Sequence, residues 1–132
     1  MSIRVVDNEP DRTQHKGACL TPEFLYRRMQ SLDRGEIALE SLRLIPLTNI
    51  YLFCSYAYYE KDVSLLSDGT FDKLCKYLYD MWEFMEAEGV WHLGTLILED
   101  NLKAGTCLRV TYPPAVQVIA DMMIELKQLE DL

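Results

Sequence analysis

The chain has 132 residues, 49% of them hydrophobic and 26% charged, a composition that supports one globular domain with a real core and excludes a disordered polymer. Its net charge of −8 lies in the second part of the chain: residues 1–50 carry seven basic and seven acidic side chains, residues 51–132 six and fourteen. Such a surface repels a phosphate backbone and disfavours direct nucleic-acid binding. No apolar run is long enough to span a bilayer, and Met1 to Asp7 lacks the apolar segment of a signal peptide, so a cytoplasmic location is expected.

Residues 1–20 are polar and aperiodic, and an extended arm is expected there. Thr21-Pro22-Glu23 is a helix start, with Thr21 as cap and Pro22 at the first helical position. Phe24, Leu25, Met29 and Leu32 form its apolar face, and Asp33-Arg34-Gly35 ends it. A second periodic stretch runs from Glu36 to Leu44 on Ile37, Leu39, Leu42 and Leu44, with Pro46 as its stop. Thr48 is expected to cap a third helix through Ile50, Leu52, Phe53, Tyr56 and Tyr59. Lys61 to Leu66 forms an elbow. From Ser67, the steps of three and four between Phe71, Leu74, Leu78, Met81 and Met85 predict one amphipathic helix ending near Gly89.

Residues 92–112 are ambiguous. Leu93 to Leu98 and Cys107 to Thr111 suit two strands of a small hairpin, turning through Asp100, Asn101 and Gly105, but the first run also suits a helical turn. Pro113-Pro114 opens a terminal helix with Ile119, Met122, Met123, Leu126 and Leu129 inward. The fold class expected is therefore mainly α: one compact helical domain over 1–132, built around a helix-elbow-helix unit, with one small β-hairpin as an option.

Cys19, Cys54, Cys75 and Cys107 are far apart in sequence, form no Cys-x-x-Cys pair, and are expected to be reduced and mostly buried. His15 and His92 are isolated, so no metal constellation follows from local spacing. Cys75 and Cys107 have no histidine in register that would activate a nucleophile. Phosphate loops and serine-centred elbow motifs are also missing. Trp82 and Trp91, flanking the end of the long helix, are expected to pack in the core.

Aromatic rings and carboxylates concentrate in the elbow. The run Tyr-x-Tyr-Tyr-x-x-Asp-x-x-x-Leu-Ser-Asp-x-x-Phe-Asp-x-Leu, from Tyr56 to Leu74, resembles the N-terminal Ia domain of bacterial NAD-dependent DNA ligases, and aligns with that family's pattern without a gap. The resemblance covers residues 48–88. In those ligases the hairpin closes over the nicotinamide mononucleotide half of NAD. The resemblance implies cofactor-binding roles for Tyr58, Tyr59, Asp68, Phe71 and Asp72, with the rings against the nicotinamide and the aspartates toward ribose and phosphate. Phe71 stands where the family has tyrosine, Ser64 where it has proline, and Thr70 where it has the glutamate of a capping box that Ser67 would begin. The family's adenylated Lys-x-Asp-Gly motif has no counterpart, since Lys103-Ala104-Gly105-Thr106 lacks the aspartate. Ligation by this chain alone is not expected.

The same residues also suit a packing unit without a ligand, Tyr56 and Phe71 wedging the two helices together. Asp68 and Asp72 would then complement the positive end of their helix, worth roughly 0.3–1 kcal/mol each. Two functions follow, neither enzymatic. In one, the hairpin binds NAD or nicotinamide mononucleotide, requiring no other cofactor, alone or as an accessory to a catalytic subunit. In the other, the acidic second half, with Asp80, Glu83, Glu86 and Glu88 at helical spacing, blocks a basic nucleic-acid-binding protein, as accessory proteins of viruses and mobile elements do. The plainer view of those four is a solvated face.

Overall fold

In the computed structural model, residues 21–88 and 97–132 are described. The N-terminal arm, Cys19, Gly89, Trp91 and the start of the proposed hairpin lie outside them. The described residues are mainly helical: α1 (Pro22–Asp33), a 3-10 turn (Leu39–Ser41), α2 (Leu44–Lys61), α3 (Asp68–Asp80), α4 (Trp82–Glu88), α5 (Glu99–Ala104) and α6 (Pro114–Glu130). No described helix is long and apolar enough to cross a membrane.

The centre of the domain is α2. Leu47, Ile50, Tyr51, Leu52, Phe53, Cys54, Tyr56 and Ala57 are all buried, so its apolar surface runs round the helix. It packs against α6 on one side and α3 on the other; α1 lies on α6, and α5 on α3. The α2 start corrects two expectations. Leu39–Ser41 is only a 3-10 turn, and the helix begins at Leu44 with Pro46 inside its first turn. Proline is tolerated there because the first amides of a helix have no carbonyl to meet. Thr48 is not a cap: it lies fully buried within α2, its hydroxyl donating to the Ile45 carbonyl at 2.8 Å.

The helix-elbow-helix unit forms as the sequence predicts. Asp62, in the left-handed region at φ 58°, ends α2, and the Val63 amide returns to the Ala57 carbonyl at 2.9 Å. Helix α3 starts at Asp68 behind Ser67, but the long helix expected to reach residue 88 breaks at Met81, whose φ of −94° and ψ of 7° separate α3 from α4. No glycine or proline lies at the break, and Leu74, Leu78 and Met85 still all reach the core. Trp82, half-buried, packs against that core.

Residues 99–104, expected within the turn of the hairpin, form a short helix instead, and the described residues contain no strand; residues 93–96, for which a helical turn was the alternative, lie outside them. Buried Asn101 does the work a ladder would have done. Its side-chain amide donates to the Leu108 carbonyl at 2.9 Å, its side-chain oxygen accepts from the Thr106 hydroxyl at 3.1 Å, and its carbonyl accepts from the Thr106 amide at 2.8 Å. From α2, the Tyr51 hydroxyl donates to the Thr106 carbonyl at 2.5 Å and ties this loop to the core.

Two inward faces also differ from expectation. Tyr26, Met29 and Leu32 bury from α1, whereas Phe24 stays at the surface beneath the Arg28 guanidinium, 4.9 Å from its ring centroid. On α6, Val116, Ala120, Met123 and Ile124 face in, Ile119 and Leu126 are half-buried, and Met122 and Leu129 are exposed. The α6 sequence offers two apolar stripes, and packing against α1 and α2 selects the one that carries Val116, Ala120 and Met123.

Glu130 fastens α6 to α1. It accepts from the Tyr26 hydroxyl at 2.8 Å and the Gln30 amide at 2.9 Å, and pairs with Arg27. The Arg27 bond, then the Tyr26 bond, hold the Glu130 carboxyl below its ordinary 4.5, while burial first and then Glu130 push the Tyr26 phenol up to about 12. A carboxylate whose pKa is lowered by folding stabilises above its unfolded value and loses that contribution as pH falls through the folded one. Acidification from about pH 5 to 3 is expected to lower the melting temperature of the native protein more than that of Glu130→Gln. Equal slopes in thermal melts across that range would show the clasp to be energetically idle.

Candidate functional site

The last turn of α2 carries Tyr58 and Tyr59, and the first turns of α3 carry Asp68, Phe71 and Asp72. The elbow folds these two segments toward each other, so all five side chains line one cleft of about 480 Å³. Buried Leu65 and Leu66 contribute to its lining from the elbow, Cys54 from α2, and Gly105 from the end of α5. Gly105 has φ +74°, and a Cβ there would stand 3.2 Å from Asp72 Oδ1, so a side chain would be strained and would press on that carboxylate.

The rings divide into two groups. Tyr58 and Tyr59 meet edge to face, centroids 5.0 Å apart at 87°, and remain 52% and 38% exposed. Phe71 is half-buried and stacks on Tyr51, centroids 5.7 Å apart at 12°. The expected wedge of Tyr56 against Phe71 is not formed. Tyr56 meets Tyr112 edge-on at 5.5 Å instead, on the side of α2 that faces α6.

Both cleft carboxylates are exposed. Asp68 occupies the first position of α3, and Asp72 makes an ion pair of 3.6 Å with Lys76 on the same exposed helix face. Burial raises the Tyr59 phenol and the Cys54 thiol above their ordinary pKa values, which favours the protonated thiol in the wall of the cleft. Cys75, also buried, is pushed up to about 12. Cys54, Cys75 and Cys107 are all free and buried.

The start of α3 is held by a residue that sequence reasoning did not single out. Ser67 caps through its hydroxyl, which accepts from the Thr70 amide at 3.3 Å. With Thr70 in the glutamate position, no local side chain returns to the Ser67 amide. Asp33, at the end of α1, does so: its two oxygens each lie 3.1 Å from that amide, and Oδ1 accepts from the Ser67 hydroxyl at 2.8 Å. A long-range carboxylate thus completes the capping box. Gly105 was equally hidden, because only the fold carries α5 to α3.

The second group from the sequence lies apart from the cleft. Asp80 ends α3, and Glu83 and Glu86 are exposed on α4 beside half-exposed Phe84; Glu88 belongs to α4, and its side chain lies outside the described residues. Asp80 also borders a shallow concavity of about 610 Å³, where Lys73, Lys76 and Glu40 mix both signs of charge.

Fold and site together define a small helical domain with an aromatic, acid-rimmed cleft at a helix-elbow-helix corner. No protein-family model, curated protein or solved structure matches the chain.

Removing the Asp33 carboxylate should loosen the corner without unfolding the domain. Asp33→Ala is expected to cost about 1 kcal/mol, a fall of about 4 °C in melting temperature, and Asp33→Asn distinctly less because one acceptor remains. Indistinguishable melts of Asp33→Ala and the native protein would discard this cap.

Proposed function

We propose that the chain is a non-catalytic binding module whose corner cleft takes the nicotinamide end of NAD or nicotinamide mononucleotide, alone or as an accessory subunit. The observation that carries this is the convergence of Tyr58, Tyr59, Asp68, Phe71 and Asp72, the positions marked by the ligase-like run, on one cleft. Its volume of about 480 Å³ lies within the range of small-molecule sites. Open tyrosine surface suits a flat heterocycle, and carboxylates suit ribose hydroxyls as acceptors.

A ligand that binds only the folded chain stabilises it by mass action, by about 2.7 kcal/mol at a hundredfold excess over Kd, and so raises its melting temperature. Nicotinamide mononucleotide should produce such a rise in native protein. Tyr58→Ala and Asp72→Ala, both surface changes, should abolish the rise and leave the unliganded melt near the native one. No shift at millimolar ligand removes this function.

A second function is favoured by one observation: Glu83 and Glu86 flank half-exposed Phe84 on α4, an acidic strip with an apolar centre that fits a basic protein surface. Reversing Glu83, Glu86 and Glu88 to lysine should destroy binding to such a partner, and added salt should weaken it. Binding that survives both changes would refute docking through this strip.

A further inference from the structure

We infer that the corner cleft reads the charge of its ligand, taking a flat organic cation over the neutral ring of the same shape. This rests on the cleft being a ligand site, as proposed above, and adds the chemistry that selects the ligand. Among the described residues, Asp68 and Asp72 are the charged side chains of the lining, which includes no lysine, arginine or histidine. The partly exposed rings of Tyr58 and Tyr59 line the same cleft, and a tyrosine ring attracts cations through the negative quadrupole of its face.

The Asp72 carboxylate is placed for this. Lys76 approaches Oδ2 at 3.6 Å from a position 76% exposed, where an ion pair is weak. Oδ1 lies on the Gly105 side, where a Cβ would stand only 3.2 Å away, so glycine keeps that oxygen unobstructed. The amino end of α3, which would draw an anion, already carries Asp68 in its first turn. Among the described lining residues, a phosphate inside the cleft would meet two carboxylates, with Lys76 outside the lining.

An oxidised nicotinamide riboside is a pyridinium cation; free nicotinamide and the reduced dihydronicotinamide are neutral. The cleft should therefore distinguish NAD from NADH, and the phosphate of a bound mononucleotide should project from the mouth without adding affinity.

Calorimetric titration of the full chain with 1-methylnicotinamide, nicotinamide, nicotinamide riboside and nicotinamide mononucleotide tests this. Expected is binding of 1-methylnicotinamide about tenfold tighter than nicotinamide, with riboside at least as tight as mononucleotide. The preference should shrink in high salt with native protein, and approach unity in Asp68→Asn/Asp72→Asn protein whose circular dichroism matches the native spectrum. Equal binding of 1-methylnicotinamide and nicotinamide overturns charge reading yet leaves nicotinamide binding standing. So does tight mononucleotide with no riboside binding, since phosphate would then be the anchor. If none of the four binds, the cleft is no nicotinamide site and both proposals fall.

Discussion

Between Leu47 and Ala57, nearly every side chain of α2 is given up to the interior, and that complete burial sets the plan of the domain. A helix apolar all round must be covered on every side, so α3 and α6 take opposite flanks and α1 seats on α6. The Tyr51 hydroxyl shows how strict the burial is. Its ring lies within the core and stacks on Phe71, yet its oxygen finds the Thr106 carbonyl, because an unpaired buried hydroxyl would cost on the order of 1–3 kcal/mol. One residue thereby joins the central helix, the wall of the cleft and the loop after α5.

The cleft follows from how that buried helix comes to an end. Exposure rises abruptly after Ala57: Tyr58 and Tyr59 emerge from the core as the chain reaches the left-handed turn at Asp62. Leu65 and Leu66 dip back into the core, and Ser67 restarts the chain as α3. Rings and carboxylates are thus concentrated where the chain leaves and re-enters the interior. Asp33 from α1 and Gly105 from α5 then bound the corner, one fixing the start of α3 and the other keeping space beside Asp72. The corner is thus hydrogen-bonded where the two helices are capped and exposed at Tyr58, Asp68 and Asp72.

Much of this was legible locally. Thr21-Pro22 and Ser67 named two helix starts, and the three-four spacing of Phe71, Leu74 and Leu78 named the buried face of α3. The five cleft residues were legible as a group because they are close in sequence and joined by a short elbow. Failures arose where sequence admits two answers. Pro46 reads as a stop and also as a first-turn residue, while Thr48 reads as a cap and also as a threonine bonded within a helix. On α6, Met122 and Leu129 are as apolar as Met123 and Ile124 but face solvent.

The sequence by itself determined the helical class, the capped corner and the chemistry it gathers, because caps, turns and periodicity act over a few residues. Tertiary structure decided which stripe of α6 is buried, that 99–104 is helical, and that Asp33 and Gly105 belong to the corner. Those outcomes depend on partners such as Thr106 with Tyr51 and Ser67 with Asp33, which are distant in the chain and meet only when burial of α2 draws the helices together.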